Sequence, residues 1–187
     1  MYRRTGRIAF AVLLLVAPGV LRAQAGITAG VATTLDILFP PITGSGVRSL
    51  NFGTVVPGTT TTVAPRTPQG AEFHIGGLLG RKSVDISFTL PTALAGPGGA
   101  TIPLTFAGAT AASCELNVLG VCQTASLTSW DPVASPTTRV RPTKFGPGPK
   151  VFVNDQLALY LGAAVSPAAS QRPGHYAASA TVLIVAN

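Results

Sequence analysis

Between Ser83 and Leu90 the chain alternates strictly, with Val84, Ile86, Phe88 and Leu90 on one side and Ser83, Asp85, Ser87 and Thr89 on the other. A period of two marks an extended strand with one face in a core and the other in water, and it does not fit a helix, whose apolar positions recur every 3.6 residues. The same pattern recurs along the chain. Ile27, Ala29, Val31, Thr33, Leu35 and Ile37 oppose Thr28, Gly30, Ala32, Thr34 and Asp36. Phe73 and Ile75 point inward while Glu72 and His74 face water. Further extended stretches are expected at Val47–Phe52, Thr101–Phe106, Leu116–Leu127, Lys150–Val153, Leu157–Leu161 and Tyr176–Val185. Prolines and glycines punctuate them, at Pro40-Pro41, Pro57-Gly58 and Gly96-Pro97-Gly98-Gly99. Some eight to ten short strands at this spacing predict an all-β antiparallel sandwich. Residues 131–150, rich in Pro and Gly, read as a long exposed connection.

The first 25 residues follow a different logic. Arg3, Arg4 and Arg7 precede the apolar run Ile8–Val16, which is followed by Pro18-Gly19 and then Ala23-Gln24-Ala25. This charged, apolar, small-residue order is that of a secretory signal peptide cut after Ala25. The run is shorter than the roughly 20 residues that cross a bilayer, and no later run is long enough, so no transmembrane segment is expected in the mature chain. Residues 26–187 then form a single domain, located in the periplasm, on the cell surface or outside the cell.

Charge is reread in that light. The whole chain carries a formal +7, but four of its 13 basic residues (Arg3, Arg4, Arg7, Arg22) and none of its six acidic ones leave with the signal, so nine against six gives +3. That balance, with no recognisable binding motif, argues against a nucleic-acid partner. A hydrophobic fraction of 47% excludes intrinsic disorder.

Cys114 and Cys122 are the only cysteines, and an even count in an exported chain predicts a disulfide closing the short loop Glu115–Val121. A redox pair would sit closer, as Cys-x-x-Cys, and a metal site needs more ligands.

Three segments, Leu50-Asn51-Phe52-Gly53-Thr54-Val55-Val56-Pro57-Gly58, Ala71-Glu72-Phe73-His74-Ile75-Gly76-Gly77 and Gln171-Arg172-Pro173-Gly174-His175-Tyr176-Ala177 running on to Val185, resemble the bacterial DUF4402 family. That family comprises exported domains of unknown function that look related to spore coat protein U and to fimbrial subunits. The resemblance spans about Ile27 to Asn187 and implies an immunoglobulin-like, fimbrial-subunit-like β-sandwich with a structural or adhesive envelope role and no catalytic activity. Partners implied are like subunits or a periplasmic chaperone. In fimbrial assembly an incomplete sandwich accepts an alternating apolar strand from a neighbour, which brings main-chain hydrogen bonds and pocket-filling side chains together. Ile27, Ala29, Val31, Leu35 and Ile37 are candidates for such strand exchange; the simpler reading makes them the first strand of the protein's own sandwich. The carboxy-terminal stretch is either a strand that a chaperone pairs with or a central strand buried on both faces. Ala186 stands where fimbrial subunits carry a penultimate aromatic residue.

Catalytic material is sparse. Neither His74 nor His175 has a second ligand at metal spacing, Asp85 and Asp131 have no evident carboxylate partner, and nucleophile elbows, His-Glu-x-x-His and phosphate loops are absent. No cofactor is implied. Arg139, Arg141, Lys144 and Lys150 lie in a stretch without acids and form a candidate basic patch for envelope polysaccharide, or a solvated loop. A secreted carbohydrate- or ligand-binding module using Trp130, Tyr160 or this patch is the alternative to the structural role.

Overall fold

The computed structural model describes residues 42–78, 83–141 and 153–187. The expected signal peptide, the alternating segment 26–37, and Lys144 and Lys150 lie outside the described residues. Those residues form twelve strands: β1 Thr43–Arg48, β2 Thr61–Val63, β3 Ala71–Gly76, β4 Val84–Thr89, β5 Ala93–Ala95, β6 Thr101–Thr105, β7 Ala111–Asn117, β8 Thr128–Trp130, β9 Thr137–Val140, β10 Val153–Leu161, β11 Ala163–Val165 and β12 Thr181–Ala186. All pairings are antiparallel. The fold is an all-β, sandwich-like one, as the alternation predicts.

Three sheets appear, in the orders β1-β3-β10-β7-β8, β2-β11-β6-β5 and β12-β4-β9. The first two are halves of one bent surface. β2 leads into β3, β6 into β7 and β10 into β11, and the order β2-β11-β6 repeats β3-β10-β7. The bend falls where β10 becomes β11 at Gly162. Its N–H donates to the Thr110 carbonyl at 2.7 Å, and a Cβ there would fall on the Val63 carbonyl oxygen and 2.7 Å from Pro65 N. The missing side chain lets two backbones meet.

The bent surface faces β12-β4-β9 across the main core, where Phe73, Ile75, Ile86, Leu157, Leu159, Leu161 and Val182 are buried. A smaller apolar cluster covers the outer face of the first sheet: Ala112, Cys114, Leu116, Ala158 and Tyr160, closed over by Cys122 and Leu127. β7 is therefore buried on both faces and lacks the alternation of a half-exposed strand. The sequence pattern misplaces it, expecting strands at Leu116–Leu127; only Leu116 and Asn117 of that stretch belong to β7, and the rest is a loop with a 3-10 turn at Thr124–Ser126. Residues 131–150 are not all connection either, because β9 adds to the free side of β4 with Asp85 opposite Arg139. Pairing needs a partner strand, which local sequence does not report.

The carboxy-terminal β12 is not central. Among the described residues it pairs with β4 alone, burying Val182 and Ile184 and leaving Leu183 and Val185 43% and 39% exposed. Leu183 and Val185, two of the three residues on its outer face, are apolar, so the sequence looks doubly buried although the strand is at an edge.

Candidate functional site

β1 and β12 are the edge strands on one side of the sandwich, each hydrogen-bonded on one edge only among the described residues. β1 is Thr-Gly-Ser-Gly-Val-Arg, and its Gly44, Ser45 and Gly46 bring little side chain to the core. A cleft of about 110 Å³ remains between it and β12, floored by Phe73, Ile75, Val182 and Ile184. Two unpaired backbone edges above an apolar floor can accept an extended segment with alternating apolar side chains. On the opposite side, Trp130 of β8 rests on Phe88 of β4, ring centroids 6.2 Å apart.

On the outer face beside this opening, Glu72 gathers three neighbours. Arg48 Nη2 lies 2.9 Å from its Oε2, His74 Nε2 lies 3.0 Å from its Oε1, and Tyr160 is also bonded to it. Arg48 Nε in turn donates to the Gly70 carbonyl at 2.8 Å. Burial raises the Tyr160 phenol above its ordinary value, and the adjacent Glu72 charge raises it further. The cluster ties β1 to β3 and β10. It corrects the reading that His74 has no acidic neighbour at ligand spacing, since residues two apart on a strand share a face. No group of three or more His, Cys, Asp or Glu side chains that could hold a metal ion occurs among the described residues.

The Leu50–Gly58 and Gln171–Tyr176 motifs meet at one end of the molecule. Leu50 and Phe52 are buried, the Asn51 Oδ1 accepts the Gly53 N–H at 2.8 Å, and Gly53 takes a left-handed φ of 64°. Apolar anchors, a side-chain turn and a glycine each serve a local requirement there. Tyr176 is buried over Gly96; its hydroxyl donates to the Arg172 carbonyl at 2.6 Å and accepts from Gln171 Nε2 at 2.7 Å. Gly58 N–H donates to the carbonyl of Pro167, four residues before the second motif, at 3.0 Å. Between them is a pocket of about 240 Å³ whose walls include Val55, Pro57, Ile102, Pro167, Pro173 and Tyr176, with Thr54, Gln171 and Arg172 also lining it.

The cysteines are joined as expected, eight residues apart in sequence. Beyond Cys114 the chain turns tightly: Asn117 Oδ1 accepts the Leu119 and Val121 N–H groups, both at 2.9 Å, and Asn117 N–H donates to the Val121 carbonyl at 2.9 Å. The loop holds Val118, Leu119 and Val121 in water at 56%, 82% and 57% exposure. Sequence reading found the bond but not this apolar tip, because a hydrophobic triplet between cysteines reads as strand.

Of the candidate basic patch, Arg139 and Arg141 are among the described residues, and Arg139 is paired. Arg139 forms a two-pronged pair with Asp85, at 2.6 and 2.7 Å, and Asn187 Nδ2 donates to the same carboxylate at 3.1 Å. The Arg139 contact holds the Asp85 carboxyl below its ordinary value. Arg141 is exposed just past β9. Asp131 organises a loop by accepting the Gly108, Val133 and Ala134 N–H groups at 2.7, 2.8 and 3.0 Å, which lowers its pKa, with Ala134 contributing most. Tyr160 is buried and Trp130 half-buried, so neither presents an open ring platform. No helix among the described residues is long and apolar enough to cross a membrane. In comparisons with known proteins, no family model matches the chain and no curated protein is similar to it.

Proposed function

We propose that the protein is an exported bacterial envelope or cell-surface structural and adhesive subunit that assembles by β-strand exchange and carries no catalytic activity. The observation that carries this reading is the open side of the sandwich: β1 and β12, each with one free edge among the described residues, flank an apolar cleft over Phe73, Ile75, Val182 and Ile184. The sequence offers a matching occupant in the alternating Ile27, Ala29, Val31, Leu35 and Ile37. Support also comes from the export-type amino terminus, the disulfide, and the resemblance of the Leu-Asn-Phe-Gly and Pro-Gly-x-Tyr motifs to the DUF4402 family. Main-chain bonds to a free edge give affinity, and side chains entering the cleft give register.

Light scattering coupled to size-exclusion chromatography, on the exported protein with and without residues 26–37, tests this. Strand exchange predicts oligomers that fall to monomers on deletion and are blocked by an added peptide of residues 26–37. Identical monomer profiles with unchanged stability would remove strand donation.

A further inference from the structure

The apolar tip and the apolar pocket lie at opposite ends of the same strands. β10 begins at Val153 opposite Asn117, beside the tip, and its continuation β11 ends at Val165 opposite Leu104, two residues before Pro167 of the pocket. Ile102, also in the pocket, belongs to β6, whose chain runs on into β7 and ends at the tip. Twelve residues at about 3.3 Å each put roughly 40 Å of strand path between the two features.

They are complementary in shape and chemistry. The tip is convex, and its residues Val118-Leu119-Gly120-Val121 carry no charge. The disulfide and Asn117 fix its form, so little order remains to be imposed on contact. The pocket is concave, with apolar walls and about 240 Å³ of space. A tip at one end of the strands and a pocket at the other can join copies end to end, head to tail.

We infer that Leu119 of one copy seats in the Ile102–Pro167–Tyr176 pocket of the next, a second contact in a head-to-tail assembly of this chain. The inference rests on the strand-exchange assembly proposed for the chain. Three side chains cover far less than the roughly 1,000 Å² of a stable interface, so the seat holds only alongside another contact. The chain supplies one at the same end. Thr43, opposite Gly76, starts β1 on the side where Leu157 and Glu115 approach the tip. The sixteen residues 26–41 precede β1 in the chain and span at most about 50 Å when extended, enough to run along a neighbour's cleft.

Sedimentation velocity on the exported, oxidised protein across a concentration series tests the seat. Leu119→Asp, which removes the tip, and Thr54→Trp, which fills the pocket from an exposed position, should each weaken self-association at least tenfold. An equimolar mixture should recover association but stop at dimers, because one variant keeps its pocket and the other its tip. Leu119→Ser is the second tip variant should the aspartate lower the melting midpoint. Association like the unmodified protein's in both tip variants, or no recovery in the mixture, would overturn the seat. So would loss of binding to phosphatidylglycerol vesicles in Leu119→Asp with self-association unchanged, which assigns the tip to a membrane. Deleting residues 26–37 separates the two contacts. If deletion is silent while Leu119→Asp weakens association, strand exchange fails and the seat stands beside a contact other than residues 26–37; if deletion weakens association while Leu119→Asp is silent, the seat fails and strand exchange stands.

Discussion

Opening the Cys114–Cys122 bond is expected to cost about 2.5 kcal/mol. The bond closes a loop with a sequence separation of eight, and the chain-entropy relation for that length gives this figure at 25 °C. Replacing both residues by alanine should cost more. Cys114 is fully buried against Ala112, Leu116, Ala158 and Tyr160, so losing its sulfur removes about one methylene's worth of packing, near 0.8 kcal/mol. Reduction of the unmodified protein therefore separates the two effects, since it opens the loop and leaves the sulfur in place. The assay is urea unfolding at neutral pH of the oxidised protein, the reduced protein and the Cys114→Ala/Cys122→Ala variant. At about 2–4 °C per kcal/mol for a chain of this size, the reduced protein should also melt about 5–10 °C lower. A reduced protein within about 0.5 kcal/mol of the oxidised one would refute the reasoning. It would mean that the Asn117–Val121 hairpin persists in the denatured chain, so that the bond removes no freedom there.

Further expectations are independent of the disulfide. Gly162→Ala, whose Cβ has only backbone to displace, should lose about 3 kcal/mol, the upper end of overpacking costs, read as a thermal midpoint about 6–12 °C lower. Tyr176→Phe removes the hydroxyl that bonds Arg172 and Gln171 and should cost about 1–2 kcal/mol in urea unfolding. The Asp131 carboxyl titrates lower folded than unfolded, so its contribution is present above the ordinary carboxylate range and lost as pH falls through the folded value. Asp131→Asn should therefore melt below the unmodified protein at neutral pH, and the two should converge in acid; a gap that persists at low pH would show that charge is not the cause.

How legible the fold is depends on how each strand is covered. β4 alternates because one face is in the core and the other is not, and its limits are plain in the sequence. β7 has both faces covered, its inward Ser113 and Glu115 break any apolar run, and it reads as nothing in particular. β9 and β12 show the limits of local pattern in opposite ways: a short polar segment becomes a strand because β4 offers an edge, and an all-apolar one stays at an edge. The disulfide is readable from parity and spacing. The Glu72 cluster is half readable, since Glu72 and His74 share a face by register, but Arg48 and Tyr160 join them only through strand order. The pocket is not readable, because its two motifs are over a hundred residues apart and come together only in the fold.

The bent ladder also determines how the molecule responds to force. Strands β10 and β11 run from the tip end to the pocket end with partners on both sides for most of the way. Their hydrogen bonds lie across the strand direction. Tension applied between the two ends loads those bonds side by side in shear, so many must fail together. Tension applied sideways at β12 would peel its single ladder to β4 one bond at a time. A subunit joined to its neighbours end to end is thus pulled along its strong axis.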